Sequence, residues 1–362
     1  MKVALVYDRV NKWGGAERVL LALHKLFPQA PLFTSVYHKE TAPWAQVFDI
    51  KTSFLQKIPF AKTRHEFFPY LMPAAFENFS FDEYDLVVSV TSEAAKGIIT
   101  KPSTKHICYC LTPTRYLWSG YDTYFSNKTL KTLTKPVVSS LRKWDKLAAN
   151  RPDMMIAISK EVQERIKNYY GRDAVVIYPP LNLSVSSDRL VSLPKKKKEK
   201  PYFLVVSRFV SYKRIDLAID ALSELGLSLK VVGAGSLEKK LKAKAGPTVE
   251  FLDNLTDDEL VDYYRGCEAL IFPGVEDFGL VMAEAHKFGK PVIAFAAGGA
   301  LDIVVEGKTG YFFNQQTKES LIEAVNKFGS YSFDSKVIMK QAEKFSVDNF
   351  KKNFQSVVNR LF

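Results

Sequence analysis

Twice along its length the chain runs through the same alternation, in which short unbroken apolar stretches are followed by amphipathic ones. "KVALVY", at residues 2–7, is apolar on both faces, as a strand buried in a parallel sheet must be. The loop "DRVNKWGGAER" follows, and then "AERVLLALHKLF" places Val19, Leu20, Leu23 and Phe27 on one helical face. Further strands are expected at "PLFTSVY", "LVVSV", "HICYCL", "MMIAIS" and "AVVIYPP". A polar, basic stretch without periodicity, "LNLSVSSDRLVSLPKKKKEKP", then reads as an interdomain connection, its lysine run being a solvated linker. After it the alternation restarts with "YFLVVSR", "RIDLAIDALSEL", "LSLKVVGAG" and "LEKKLKAKA". It continues through "TVEFLD", "TDDELVDYYRGC", "EALIFPG", "LVMAEAHKFG" and "KPVIAF". Two successive β/α series predict an α/β protein of two Rossmann-like, doubly wound domains. The boundaries are placed at 1–183 and 184–345. The terminal segment 346–362 returns to the first domain, because Phe350, Phe354, Val357, Val358, Leu361 and Phe362 form an apolar stripe that must dock.

Composition excludes several classes. With 362 residues, 47% hydrophobic and 25% charged, the chain reads as a soluble globular protein. No apolar run reaches the roughly 20 residues needed to cross a bilayer. "MKVALVYDRV" breaks too early, at Asp8 and Arg9, to be a signal peptide. Three cysteines, Cys108, Cys110 and Cys267, in apolar surroundings fit buried thiols in a reducing compartment. A cytoplasmic location is therefore expected. The net charge of +12 is uneven, since residues 1–180 carry 25 Lys and Arg against 16 Asp and Glu. That excess suits an anionic membrane surface or a phosphorylated substrate. No zinc-finger spacing, RRM signature or basic zipper accompanies it, so nucleic acid is not an expected partner. The segments 51–73 and 128–147 mix lysines with apolar residues and are candidates to rest on an anionic bilayer, at the inner face of the cell membrane.

In a molecule of this class, ligands bind at loops following the carboxyl ends of strands, and helix N-termini there suit phosphate. Three loops qualify. Gly14 and Gly15 precede the first helix. "SRFVSYKR" carries Ser207, Arg208, Lys213 and Arg214, and "EDFG" carries Glu276 and Gly279. A diphosphate leaving group needs cations. No D-x-D pair exists to hold a divalent ion, so Arg208 and Lys213 are expected to take its place, with no metal and no cofactor. Glu276 and Glu284, eight residues apart, can accept hydrogen bonds from the hydroxyls of one extended ligand, a sugar at one end and a ribose at the other. Two decoys fail. "VVGAG" lacks the third glycine of a dinucleotide fingerprint, where Glu238 stands, and "EGKTG" has Asp302 where a P-loop needs glycine. His286 reads as a helix-surface or core-edge residue.

"PGVEDFGLVMAEA" resembles the E-x7-E signature of retaining glycosyltransferases of the GT-B fold, family 4 (glycosyl transferases group 1). "SRFVSYKR", "VVGAGSLEKKL", "FLDNLTDDEL", "AAGGALDIVVEGKTGYFF" and "FSVDNF" are similar to that family in order and spacing. "WGGAERVLLALHKLFPQAPLFTSVY" and "CYCLTPTRYLW" resemble its lipopolysaccharide and exopolysaccharide mannosyltransferase branch. The resemblance implies two domains facing each other across a cleft, with a nucleotide-sugar donor, GDP-mannose or else a UDP-sugar, on the second. It implies a glycan or lipid-linked saccharide acceptor on the first, and a C-terminal helix crossing back to it. Glu276 would support charge at the anomeric centre and Glu284 would hold the ribose. Arg208 and Lys213 would clamp the diphosphate, with Gly15 approaching it. Phe278, Gly279 and Leu280 would offer backbone N–H groups, and Asn254 and Leu255 would lie against the base. One position departs from the pattern: Leu111, in "CLTP", stands where the family carries a histidine that contacts the donor sugar. Leu111 suggests a 6-deoxy sugar donor, or a non-catalytic scaffold that keeps only binding.

Overall fold

The computed structural model describes residues 1–125, 127–181, 200–253 and 255–362. The chain divides into two compact units, Met1–Pro180 with Phe350–Phe362, and Leu181–Asn349. The lysine run and residues 182–183 lie outside the described residues.

The first unit holds β1 (Val3–Tyr7), β2 (Leu32–Thr34), β3 (Ile50–Thr52), β4 (Leu86–Thr91), β5 (Lys105–Cys110), β6 (Met154–Ala157) and β7 (Val175–Val176). They form one sheet in the order β3-β2-β1-β4-β5-β6-β7, every pairing parallel. The apolar runs explain why. β1 and β4 are buried along their whole length, which only a sheet covered on both faces provides. β1 lies between β2 and β4, so the order reverses at the β1/β4 boundary. In such sheets that boundary is where ligands bind, beyond the carboxyl ends of the strands.

The second unit holds β8 (Tyr202–Val206), β9 (Ser228–Val232), β10 (Val249–Leu252), β11 (Leu270–Phe272), β12 (Val292–Phe295) and β13 (Gly310–Phe313). Their order is β10-β9-β8-β11-β12-β13, again all parallel, with the reversal between β8 and β11. Its core packs Phe203, Val205, Leu229 and Ile271 of the sheet against Ile219 and Leu222 of the helix Ile215–Glu224. The apolar period of "RIDLAIDALSEL" is what points those two side chains the same way.

The terminal helix Val347–Val358 contributes its apolar stripe to the first unit. Phe350 meets the Tyr109 ring at 5.9 Å and Phe354 meets Phe27 at 6.3 Å, all buried. The residues before Phe350 are tied to the second unit, where Asn349 Nδ2 donates to Glu343 O at 3.1 Å. Leu181 likewise donates its N–H to Phe345 O at 2.7 Å.

Several elements were not anticipated, among them the helices Lys160–Tyr170, Lys318–Gly329 and Ser335–Ala342. β3 lies inside the segment expected to face a membrane, and β13 is short. The helix Lys128–Ala148 is long and carries Pro136 in its interior. A proline there removes a backbone donor and normally argues against a helix. The apolar face of Val138 and Leu141, packed with Leu117, outweighs that cost here. Within 51–73, Leu55 and Met72 join the core while Phe60 and Phe67 stay exposed, so the segment is only partly a surface.

Candidate active site

At the β8/β11 switch point of the second unit, the loop after β8 meets the loop after β11. Ser207 donates its N–H to Val232 O at 3.0 Å and Phe209 to Ala234 O at 2.9 Å, which pins the first loop to the end of β9. The chain then makes a single 3-10 turn, Ser211–Lys213. Arg214 follows with φ +50°, a left-handed conformation that an arginine adopts at some cost, and its guanidinium turns to Asp216. That leaves Lys213 facing the other loop. Its ammonium, 9% exposed, forms an ion pair with Glu276 Oε1, which is 26% exposed. Arg208 is exposed and donates through Nη2 to the Tyr212 hydroxyl at 3.2 Å. Lys213 also lies 5.2 Å from the Tyr212 ring centroid, so one tyrosine spaces the two cations.

Glycines allow the loops to approach this closely. A Cβ on Gly274 would stand 2.8 Å from Lys213 Cα. Behind Glu276 runs "AAGG", where Gly299 N–H donates to Glu276 O at 2.9 Å. Gly298 has φ +61°, and a Cβ on it would stand 2.4 Å from Glu276 O. Gly298→Ala should therefore shift the Glu276 loop. We expect it to lower turnover on the order of tenfold or more, and to lower the melting temperature as well because alanine is strained at that φ, measured by steady-state kinetics well below the unfolding transition beside thermal unfolding. Unchanged turnover would mean that the loop tolerates displacement.

Gly279 caps the helix Leu280–Lys287 with φ +88°. N–H groups in the first turn of a helix have no partner within it, so Leu280 stands at a ready anion-facing end. Phe278 is buried against Phe345 at 5.4 Å. Glu284 is 3% exposed, and Tyr264 donates to its Oε2 at 2.8 Å. Its carboxylate is thus oriented by a buried tyrosine, a partner that "DELVDYYRGC" gave no reason to single out. Leu255 is half-buried just before the helix Asp257–Gly266, which Thr256 and Glu259 close with a capping box. Asn254 lies outside the described residues.

The remaining candidates belong to the first unit. Gly14 caps the helix Gly15–Leu26, and a side chain on Gly14 would meet Glu17 Oε2 at 3.1 Å. Glu17 is buried, accepts from the Tyr7 hydroxyl at 2.8 Å, and has its carboxyl pushed up by desolvation. A carboxylate thus already faces that helix end. Leu111 follows β5 and donates its N–H to Thr91 O at 2.8 Å. His106, five residues earlier, is fully buried and bonded to Ser89 Oγ at 2.8 Å. Burial drags its pKa down to about 3, so it is a neutral core residue that cannot stand in for the histidine the resemblance leads one to expect at Leu111. His286 is also a core residue, at 3.1 Å from Thr309 O with a pKa lowered to about 4 by burial. All three cysteines are free and buried, and among the described residues no three His, Cys, Asp or Glu gather as a metal site requires. No helix among the described residues is long and apolar enough to cross a membrane.

Sequence reasoning missed the groups at the other switch point. Asp8, at the end of β1, accepts hydrogen bonds from Thr91 Oγ1 and from the N–H groups of Ser92, Glu93, Ala94 and Ala95, between 2.6 and 3.0 Å. It locks the loop after β4 to β1 and brings Arg9 against Glu93 in an ion pair. "DRV" and "SEAAKG" carry no motif, and only the strand order places them together.

Residues 189–345, which include this β8/β11 site, match the family model of glycosyl transferases group 1. The fold is GT-B: a lipopolysaccharide outer core galactosyltransferase superposes with a TM-score of 0.70 at 19% identity, over 100% of both chains. Among curated proteins, an uncharacterized glycosyltransferase of Methanocaldococcus jannaschii is 28% identical over 190 residues, covering 50% of this chain and 52% of that one. An alpha-1,3/1,6-mannosyltransferase of Dictyostelium discoideum is 32% identical over 201 residues, covering 46% and 48%. The chain spans about half the length of these curated relatives.

Proposed function

We propose that the protein is a retaining glycosyltransferase of family 4 that moves a sugar from a nucleoside diphosphate to a glycan or lipid-linked saccharide in surface polysaccharide synthesis. The observation that carries this is the Lys213–Glu276 ion pair at the β8/β11 switch point, with Arg208 on the same loop. A cation beside a carboxylate suits a reaction in which negative charge grows on a leaving diphosphate while positive charge grows on a sugar carbon. Lys213 and Arg208 would stabilise the diphosphate, and the N-terminus at Leu280 would add its partial positive charge. Glu276 would face the oxocarbenium-like anomeric carbon. The acceptor oxygen attacks that carbon on the face the diphosphate leaves. The carbon–oxygen bond to phosphate breaks, its electron pair stays with the diphosphate, and the acceptor's proton follows it. Glu284, oriented by Tyr264, would receive the ribose hydroxyls. Gly15, Phe278, Gly279 and Leu255 keep the supporting roles that the resemblance gives them. No metal enters this scheme.

GDP-mannose is the proposed donor, supported by the mannosyltransferase among the relatives. The alternative is a UDP-sugar or, given the apolar Leu111, a 6-deoxy sugar. Release of free nucleoside diphosphate across a panel of nucleotide sugars tests the activity, and calorimetry with GDP and UDP tests the donor. We expect turnover with at least one sugar and tighter binding of GDP. Tighter UDP binding overturns the donor. Nucleotide binding without any turnover favours the scaffold that Leu111 suggested.

A further inference from the structure

The backbone of the loop after β8 is fixed along most of its length. Phe209 is buried and meets the Phe251 ring at 6.0 Å, and its carbonyl accepts from Leu237 N–H at 3.0 Å. Lys213 N–H donates to Val210 O at 3.1 Å and Arg214 N–H to Ser211 O at 3.2 Å, which closes the 3-10 turn. The turn is pressed onto the loop after β11, since a Cβ on Gly274 would stand 2.9 Å from Tyr212 O. The Tyr212 side chain, 38% exposed, and the exposed Arg208 reach out from this fixed backbone.

We infer that Tyr212 is a positioning residue that presets Arg208 and Lys213 for two linked phosphates, and so makes the site prefer nucleoside diphosphates to monophosphates. This rests on the glycosyl-transfer reading above. The phenol offers each cation a different group. Its hydroxyl accepts from Arg208 Nη2 at 3.2 Å, and its ring centroid lies 5.2 Å from Lys213 Nζ. A hydroxyl lone pair suits a guanidinium, and the negative face of an aromatic ring attracts an ammonium. The hydroxyl and the ring are separate points on one side chain, so the two cations are held at separate points, as two linked phosphates are.

Arg208 has the more to gain from such a hold. An exposed arginine samples many rotamers, and a ligand that recruits it must restrict them. The bond to Tyr212 removes part of that freedom in advance and uses one of five guanidinium donors, leaving others for phosphate oxygens. Lys213 meets the ring and Glu276 together, so its ammonium is also in place before a ligand arrives. A ligand with one phosphate gains less from a second cation already in position.

Calorimetry of the full chain with GDP and GMP, and with UDP and UMP in parallel, tests the inference. Tyr212→Phe keeps the ring and removes the hydroxyl. We expect it to weaken diphosphate binding about three- to tenfold, to leave the monophosphates within about twofold, and to melt like wild type. In an Arg208→Ala background the same substitution should cost no further diphosphate affinity, because no guanidinium is left for the hydroxyl to hold. Tyr212→Leu removes the ring as well. Its additional loss should persist in that background, since it acts through Lys213. Unchanged diphosphate affinity in Tyr212→Phe overturns the inference. So does an equal loss for monophosphates and diphosphates, which would show a packing role. A full-sized loss in the Arg208→Ala background also overturns it, by showing that the phenol touches phosphate itself. Wild type that binds no nucleotide overturns the glycosyl-transfer reading and this inference together. Wild type that binds GDP or UDP, beside a Tyr212→Phe protein that binds it equally well, overturns this inference alone.

Discussion

Glu276→Ala should lower turnover by two or more orders of magnitude and leave nucleoside diphosphate affinity intact or improved. The ion pair predicts both halves. Glu276 is partly exposed and spends its charge on Lys213. Removing the carboxylate costs the transition state its stabilising anion, and a 100-fold loss corresponds to about 2.7 kcal/mol of barrier. The same change frees Lys213, which can then meet a diphosphate without first leaving a partner. A residue that only shaped the pocket would lose affinity and turnover together, so the split between KM and kcat is the discriminating readout. Glu276→Gln is the conservative control, since it keeps the size and removes the charge. Normal turnover in either variant sinks the assignment. Lys213→Ala should move both quantities the wrong way, leaving Glu276 unpaired where an anionic ligand must approach.

The sequence carried the fold where the physics was local. Unbroken apolar runs such as "KVALVY" and "LVVSV" became fully buried parallel strands, and the period of "AERVLLALHKL" became a helix with one buried face. The stripe ending in Phe350 and Phe354 found its aromatic partners. Elements whose stability comes from tertiary packing were harder to read. The helix Lys128–Ala148 contains a proline and a sequence rich in lysine and threonine, and it is held by contacts with Leu117 that no local pattern announces. β3 is three residues long and has no apolar period to detect.

The candidate site divides in the same way. Lys213 and Glu276 could be named because both sit in loops that follow apolar runs and precede helices, and the structure joins them directly. Sequence could not show that Glu284 is buried under Tyr264, because burial of a helix position depends on which neighbour covers it. Nor could it show Arg9 and Glu93 meeting. They are 84 residues apart, and they touch because β4 inserts beside β1 and Asp8 gathers the four N–H groups at its end. Long-range strand order is the missing information, and it decides which loops become neighbours.

Lys96→Ala should be the most destabilising single change in the first unit, at about 3–5 kcal/mol. Lys96 and Asp145 are each 1% exposed and pair at 2.6 Å. Thr114, Trp118 and Tyr170 also donate to the Asp145 carboxylate, at 2.9, 2.7 and 2.8 Å. Desolvation alone would lower the Lys96 pKa, but the Asp145 charge and hydrogen bond outweigh it and raise the value above the usual lysine range. The sign follows from that. A raised folded pKa gives a contribution fully present below the unfolded lysine value and lost only as pH climbs through the folded one. The deficit of Lys96→Ala should therefore be the same from about pH 6 to pH 9 and shrink only at strongly alkaline pH. Against a total stability of roughly 5–15 kcal/mol, the loss should lower the melting temperature by about 10 °C. Thermal unfolding across that pH range measures it, and a variant melting within about 2 °C of wild type would show that the pair contributes nothing net. Lys96→Met with Asp145→Asn should recover part of the loss, because no charge is then left buried alone. Lys96 Nζ donates to Glu93 O, the residue that holds Arg9.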